Sequence, residues 1–351
     1  MRIARHPIYW LIRKALNSYF VREELWRSNR DRFRRGTAPH LPAGRLTKLP
    51  PDYRLARPEL APPISKSPVF ITARFRSGST FLWQLFRGVD GVTAYYEPLN
   101  ERRWFLHPEH NPPSDRTHRG VDNYGLEYAG MRDLEGLFDL NWGYRELYMD
   151  ERSHDPRLFC YITELIRRAD GRPVLQFNRV DLRLPWLRAH FPDAMIVHLY
   201  RHPREQWMSM QVKHRVPLTC ALEEFAQYDS FYTIPWARDL RTVFPFLEID
   251  AEIHPYALHY YLWRLSFTFG KLYSHLSLSY EELTGDFAGS FGKLLSELAI
   301  AGGDLAQLRQ LNRGPVAPRW PDYADDRWFA AIEAECERTL CIYFGSVQSL
   351  T

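Results

Sequence analysis

Hydrophobic residues along this chain form two kinds of pattern in alternation. Residues 69–73 are a short, continuously apolar run, and residues 80–87 place apolar side chains at helical spacing. The first pattern predicts a strand covered on both faces and the second predicts a helix. Further strands are predicted at residues 92–96, 174–177, 194–200 and 276–280, and helices at residues 182–190, 203–212, 222–232 and 257–275, with 126–170 mainly helical. This alternation favours a three-layer α/β domain with a central, mainly parallel sheet flanked by helices.

The first 67 residues have a different character. Residues 6–35 carry apolar side chains near one stripe with Arg and Lys between them, which predicts an amphipathic helix. Eight prolines in residues 38–68 predict an extended arm or linker. We therefore expect three parts: a basic helical segment (residues 1–36), a proline-rich arm (37–67) and one large domain (68–351).

The charge of the chain is unevenly distributed. Residues 1–36 hold ten Lys/Arg and three Asp/Glu, so their net charge is +7. The whole chain has a net charge of +4, so the remaining residues carry about −3. A near-neutral domain argues against a general nucleic-acid binder. The basic segment is a candidate for peripheral contact with a membrane, although a solvated helix face explains it as well.

Cysteine content and hydropathy suggest the cytoplasm, with peripheral membrane attachment as an option. Four cysteines in 351 residues do not form a disulfide framework, which favours a reducing compartment. No apolar run approaches the ~18 residues that a membrane span needs, and the start lacks the pattern of a cleavable signal.

The turn after the first predicted strand has the residues of an anion site. It reads Arg76-Ser77-Gly78-Ser79-Thr80 and opens a helix. Amides at a helix amino end point toward a bound anion, and the glycine lets the backbone approach it. The serine and threonine hydroxyls add donors, and the arginine adds a fixed charge that bonds two oxygens. Since ligands bind beyond the carboxyl ends of parallel strands, we predict a phosphate site here.

The turn departs from the common nucleoside-triphosphatase loop. That loop is Gly, four residues, then Gly-Lys-Ser/Thr. The frame at residues 73–80 lacks the first glycine and the lysine, which argues against an ordinary ATPase or kinase. A P-loop-like kinase or other phosphotransferase nevertheless remains an alternative function, and a plain surface turn is the structural alternative for the pattern itself.

Residues 70–86 resemble the 5′-phosphosulfate loop of sulfotransferases, which use 3′-phosphoadenosine-5′-phosphosulfate (PAPS). Arginine in place of the usual lysine, with Tyr96-Glu97-Pro98 downstream, is similar to the carbohydrate-type and bacterial members. A second segment, residues 194–204 with Ser209, resembles the family's 3′-phosphate motif, although His202 replaces the usual aspartate. A weaker match at residues 278–283 has Ser279 for the usual arginine, so the resemblance covers about residues 68–283.

The resemblance implies a P-loop-like fold and transfer of a sulfuryl group from PAPS to a hydroxyl of a carbohydrate or glycolipid. A non-catalytic relative that kept only nucleotide binding is the alternative. The family's pattern assigns the donor nucleotide to eight positions, with Phe81 stacking on adenine and the last two binding the 3′-phosphate. They are Arg76, Ser77, Gly78, Ser79, Thr80, Phe81, Arg201 and Ser209, with Arg76 acting on the transferred group as well.

The acceptor hydroxyl needs a base, and Glu97 is the first candidate. It follows the second strand and matches the glutamate of carbohydrate-type members; the alternative is that it caps or salt-bridges a loop. His107 and His110 are the other candidates, in a predicted loop over residues 106–125 that, with Trp104, suits a sugar site. Asn178 and Arg179 follow the next strand and are candidate contacts to sulfate or acceptor. No metal is expected, since the loop has no acidic pair.

Overall fold

The computed structural model describes residues 67–109, 121–212 and 214–344. The predicted basic helix, nearly all of the proline-rich arm and His110 lie outside these residues, so those expectations stay predictions.

The centre of the described chain is a five-stranded sheet in the order β2-β3-β1-β4-β5. Its strands are β1 (Val69–Thr72), β2 (Val92–Tyr96), β3 (Arg172–Phe177), β4 (Met195–Tyr200) and β5 (Leu276–Ser279). Each pair of neighbours is parallel. All carboxyl ends therefore meet at one edge, which confirms the predicted parallel α/β sheet.

Helices flank this sheet. They are α1 (Ser79–Arg87), α2 (Pro156–Arg167), α3 (Leu184–His190), α4 (Pro203–Met210), α5 (Thr233–Leu240), α6 (Tyr256–Tyr273), α7 (Tyr280–Gly285), α8 (Phe287–Glu297), α9 (Leu305–Leu308) and α10 (Asp326–Phe344). Helix α1 packs against β2 and β3, while α6 packs against β4. None of the helices in the described ranges combines the length and apolar content that crossing a bilayer requires.

The continuous apolar runs are buried strands, as predicted. Every residue of β1 and β3 is buried. In the core, the Phe70 ring meets Phe177 and Phe191 edge to face, with centroids 5.8 and 5.4 Å apart. Burial of such rings supplies most of the energy that holds the sheet to its helices.

The prediction that residues 126–170 are mainly helical is wrong. Short 3₁₀ turns occupy Leu126–Tyr128, Arg132–Gly136 and Leu140–Gly143, and only Pro156–Arg167 is an α-helix. Glycines interrupt the stretch, and Gly130 has a φ of 77°, which a helix does not allow. The apolar pattern instead reflects packed aromatic rings such as Phe138, Trp142 and Tyr161.

The helix predicted over residues 222–232 is present only in part. A 3₁₀ helix covers Leu222–Gln227, and α5 starts only at Thr233. The Asp229 carboxylate accepts the amides of Thr233 and Ile234 at 2.9 and 2.8 Å, so it satisfies the amino end of α5 and fixes that start. The turn between them carries Phe231 and Tyr232 to the carboxyl edge of the sheet.

Candidate active site

The loop after β1 turns sharply because two of its residues have positive φ. Arg76 has a φ of 68° and Gly78 a φ of 91°. For the arginine this backbone costs on the order of 1 kcal/mol or more. The first intrahelical bond of α1 runs from the Leu82 amide to the Gly78 carbonyl at 3.2 Å. The amides that precede it lie at the helix amino end, where an anion is stabilised.

Gly78 is required for space as well as for conformation. A Cβ atom at this position would lie 2.2 Å from Cδ2 of Tyr280. Tyr280 begins α7, whose start is fixed by a capping box between Ser279 and Glu282. The weaker family match at residues 278–283, the third motif, therefore packs onto the loop after β1. Ser279, which replaces the family's arginine, caps α7.

Ser77 lies behind the loop. Its amide donates to the Arg74 carbonyl at 3.2 Å, and its hydroxyl accepts from Nε2 of Gln206 at 2.7 Å. Gln206, on α4, also donates to the Phe75 carbonyl at 2.7 Å. Ser77 therefore ties the loop to α4, and it does not line the cavity described below.

The two clusters that the sequence offers for binding anions, Arg76, Ser77, Ser79 and Thr80 after β1 and Arg201 and Ser209 after β4, meet directly. Arg76 Nε donates to Oγ of Ser209 at 3.2 Å, and Arg201 Nη1 is 3.4 Å from the Arg76 carbonyl oxygen. The Arg201 guanidinium lies 4.9 Å from the centre of the Tyr280 ring and 3.5 Å from Glu205 Oε2. Burial lowers the pKa of Arg201. An anion beside this arginine would therefore stabilise its charged form.

The other positions of the second motif have structural contacts. Arg204 pairs with Glu333 at 2.8 Å and with Asp326 at 2.6 Å, both on α10. The His202 amide donates to Glu281 Oε1 at 3.1 Å. These contacts hold α4 to the neighbouring helices, away from the loop.

Glu97 follows β2 in a left-handed conformation, with a φ of 39°. Its Oε1 accepts from Asn178 Nδ2 at 2.5 Å, and its Oε2 accepts from Asn100 and, at 3.3 Å, from Arg179 Nη1. Its side chain is 10% exposed. Glu97 therefore forms a salt bridge with Arg179, as the alternative to a catalytic role predicted. It also lines the cavity described below, which a role as base requires.

One cavity at the carboxyl edge of the sheet gathers most of the predicted residues. Those that line it are Arg76, Gly78, Ser79, Thr80, Phe81, Glu97, Asn178, Arg201 and Ser209, together with Phe75, Tyr96, Phe231 and Tyr280. Thr80 and Tyr96 are joined there by a hydroxyl–hydroxyl bond of 3.0 Å. The cavity thus brings together the carboxylate of Glu97 and residues of both clusters that were predicted to bind anions.

Three of the predicted residues do not line this cavity. Ser77 is behind the loop, Arg179 is behind Glu97, and His107 is exposed beyond a 3₁₀ turn. Trp104 was expected near a sugar site, but its ring is buried and packs on Tyr124 at 5.8 Å. Among the described residues, no cluster of His, Cys, Asp or Glu has a metal-binding arrangement.

Sequence reasoning gave no role in the site to four aromatic residues of the cavity, Phe75, Tyr96, Phe231 and Tyr280. Tyr280 lies in a segment noted as a motif, but nothing in the sequence shows that its ring covers Gly78. Phe231 lies in a stretch predicted as helix. A signal for the break was present, because Pro235 favours a first-turn position and Asp229 is a capping residue type.

Comparison with known proteins gives one family match. A family model described as "Sulfotransferase family" matches residues 68–301. No curated protein sequence matches significantly.

Solved structures with weak overall likeness include three sulfotransferases. The mouse sulfotransferase SULT7A1 complexed with PAP shares 13% identity over 80% of this chain and 87% of its own, with a TM-score of 0.39. The Alicyclobacillus acidocaldarius sulfotransferase shares 12% over 81% and 97%, with a TM-score of 0.38. The sulfotransferase domain of the Synechococcus PCC 7002 olefin synthase shares 17% over 80% and 91%, with a TM-score of 0.33.

Proposed function

This chain belongs to the sulfotransferase family, and we propose that it transfers the sulfuryl group of PAPS to a hydroxyl of a carbohydrate or glycolipid. One observation carries the proposal: both anion-binding clusters and the Glu97 carboxylate line a single cavity at the carboxyl edge of the sheet. A donor with two separated anionic groups and an acceptor that must lose a proton need that combination.

In this proposal the two clusters divide the donor between them. Ser79, Thr80 and the amides that open α1 hold the 5′-phosphosulfate, while Arg201 and Ser209 hold the 3′-phosphate. Arg76 contacts Ser209, so it lies where the two groups are closest. Ser77 supports the loop from behind.

Adenine would lie against the aromatic rings of the cavity. Phe81 was predicted for this role, and its ring meets Tyr280 edge to face, with centroids 6.5 Å apart. A flat base fits between or against such rings, since aromatic faces and edges attract.

The transfer itself is an in-line displacement. The acceptor oxygen forms a bond to sulfur as the bond from sulfur to the 5′-phosphate oxygen breaks, and the hydroxyl proton passes to a Glu97 oxygen. The products are a sulfate ester and adenosine 3′,5′-bisphosphate, and the proton is later released to water. Arg76 and the loop amides stabilise the negative charge on the oxygens of the sulfuryl group in the transition state. Loss of one such hydrogen-bond donor typically lowers the rate by about 10²- to 10³-fold.

A carbohydrate acceptor suits the surroundings of Glu97. Phe231 and Tyr96 line the cavity with aromatic surface, and Asn178 places an amide beside the carboxylate. Mixed aromatic and amide linings bind ligands that have an apolar face and several hydroxyls. Trp104 does not contribute, because its ring is buried.

The test is to incubate the purified protein with sulfur-labelled PAPS and fractionated sugars and lipids, and to identify the labelled product. We expect a labelled sulfate ester of a carbohydrate or glycolipid. Thermal shifts supply the second measurement: adenosine 3′,5′-bisphosphate should stabilise the protein and ATP should not. Stabilisation by ATP alone, or bisphosphate binding without any transfer, would favour the phosphotransferase or the non-catalytic alternative.

A further inference from the structure

Arg179 lies between two carboxylates. Its Nη1 is 3.3 Å from Glu97 Oε2, and its Nη2 is 2.5 Å from Glu101 Oε2. The Arg179 side chain is 2% exposed, whereas that of Glu101 is 39% exposed. The buried guanidinium of Arg179 therefore forms ion pairs with the Glu97 carboxylate, which lines the cavity, and with the more exposed Glu101 carboxylate.

The remaining contacts of Arg179 keep it away from the acceptor. Nη1 also donates to Asn178 Oδ1 at 2.6 Å, and the guanidinium lies 5.0 Å from the centre of the Phe75 ring and 5.8 Å from that of Tyr232. Arg179 does not line the cavity, so it acts on the reaction through the lining residues that it contacts, and its hydrogen bonds there go to Glu97 and Asn178.

Glu101 is held in its charged form. Burial acts to raise its pKa, but Arg179 and the Tyr232 hydroxyl, which donates to Oε1 at 2.5 Å, bring the pKa of Glu101 below its ordinary value. Glu101 is therefore expected to stay ionised while Glu97 gains and loses the acceptor's proton.

From these contacts we infer that Glu101 is a positioning residue that acts on Glu97 through Arg179, so that Glu97 can take up the acceptor's proton. The inference rests on the proposed function. With both glutamates ionised, the trio has a net charge of −1, which becomes 0 when Glu97 is protonated. Without the negative charge at position 101, protonation of Glu97 would change the net charge of the trio from 0 to +1. The buried Arg179 guanidinium would then have no compensating carboxylate, which is costly.

Other ionisable groups face Glu97 from the surrounding elements. Tyr96 on β2 and Tyr128 on a 3₁₀ turn are held neutral, since burial raises the pKa of each well above its ordinary value. Arg76 and Arg201 are the guanidinium groups that line the same cavity. A change in the pH dependence of kcat on substitution of Glu101 therefore reports the coupling between the Glu97 and Glu101 carboxylates.

The deciding variant is Glu101→Gln, which keeps the size of a side chain that is 39% exposed, so the fold should be preserved. Removing the charge makes protonation of Glu97 harder, so kcat should fall by about tenfold or more, and the acid limb of the kcat profile should move to lower pH. The KM for PAPS should not change. A role confined to local structure would lower kcat without moving the limb, and that outcome would overturn the inference.

A readout without turnover separates this inference from the proposed function. Infrared difference spectra that follow the Glu97 carboxyl stretch should show proton uptake at lower pH in Glu101→Gln than in the wild type. Equal titration in both proteins refutes the coupling. If the wild type transfers no sulfuryl group to any acceptor, the proposed function fails, while the spectra still decide the coupling.

The chain offers a matched control. Glu164 on α2 also pairs with arginines, Arg167 at 2.7 Å and Arg168 at 2.9 Å, but on the surface. Glu164→Gln removes the same charge and should leave both the kcat profile and the infrared titration unchanged. A shift in this variant equal to that of Glu101→Gln would show a general charge effect and would count against the inference.

Discussion

The guanidinium of Arg76 is bound to Ser209, which lies 133 positions later in the chain. Nε of Arg76 donates to the Ser209 carbonyl at 2.9 Å and to its hydroxyl at 3.2 Å. The contact joins the loop after β1 to α4, and so joins the two clusters that we propose bind the anionic groups of the donor. A ligand that fills both clusters must meet Arg76, whichever end of it binds first.

Replacing Arg76 with alanine should therefore abolish retention on immobilised adenosine 3′,5′-bisphosphate. Each hydrogen bond to a charged group contributes about 1.5–3 kcal/mol, and this side chain can reach both anions. Circular dichroism should show an intact fold. Arg87→Ala, at the far end of α1, is the matched control and should be retained as the wild type is. Unchanged retention of Arg76→Ala would refute the site.

Glu97→Gln should separate binding from catalysis. The glutamine keeps the size of the side chain but cannot take a proton, so turnover should fall by about 10²- to 10⁴-fold. Affinity for the bisphosphate, measured by calorimetry, should stay near that of the wild type. His107→Asn should keep its turnover, because His107 is exposed and does not line the cavity. The reverse result would make the histidine the base.

The sequence predicts which candidate residues come together better than it predicts the segments around them. Two anion motifs, each directly after a buried apolar run, had to meet once the sheet was parallel, because the carboxyl ends of parallel strands share an edge. The strand and helix boundaries near those motifs differ from the prediction by a few residues. Local pattern was sufficient there because each motif is contiguous.

Contacts between distant segments escaped prediction. That Ser77 faces α4 and Tyr280 covers Gly78 follows from packing across many residues of chain, which no local period encodes. The 3₁₀ turns after residue 126 were missed for a related reason: aromatic residues buried by neighbouring segments imitate the apolar stripe of a helix.

Acid should destabilise the fold partly through His198. This residue of β4 is buried, and burial together with Lys271 lowers its pKa to about 3. A lowered histidine pKa means that the unfolded chain binds the proton first, near pH 6.5. The stability that His198 contributes is thus complete above that pH and is lost as the pH falls toward 3.

The comparison with His198→Gln isolates this effect. Between about pH 7 and pH 5 the wild type should lose about 2 kcal/mol more free energy of unfolding than the variant does. Buried carboxylates such as Asp181, whose pKa burial raises, act in the opposite sense but are common to both proteins. Urea unfolding at the two pH values gives the measurement. Equal losses would show that His198 is not responsible.

Gly78→Ala should impair nucleotide binding more than it lowers stability, and Gly130→Ala is the matched control. Both glycines have positive φ, 91° and 77°, so each alanine costs on the order of 1 kcal/mol through the backbone alone. A Cβ at Gly130 meets open space, whereas at Gly78 it would lie 2.2 Å from the Tyr280 ring and displace it.

That ring also lies against the Arg201 guanidinium, 4.9 Å from ring centre to Cζ. Displacing it should disturb Arg201, which we propose binds the 3′-phosphate, together with the loop. We therefore expect Gly130→Ala to bind adenosine 3′,5′-bisphosphate normally with a small loss of thermal stability, and Gly78→Ala to lose bisphosphate binding as well. Calorimetry on both variants is the measurement. Normal binding by Gly78→Ala would mean that the ring over the loop has no part in holding the nucleotide, and that the third motif serves packing alone.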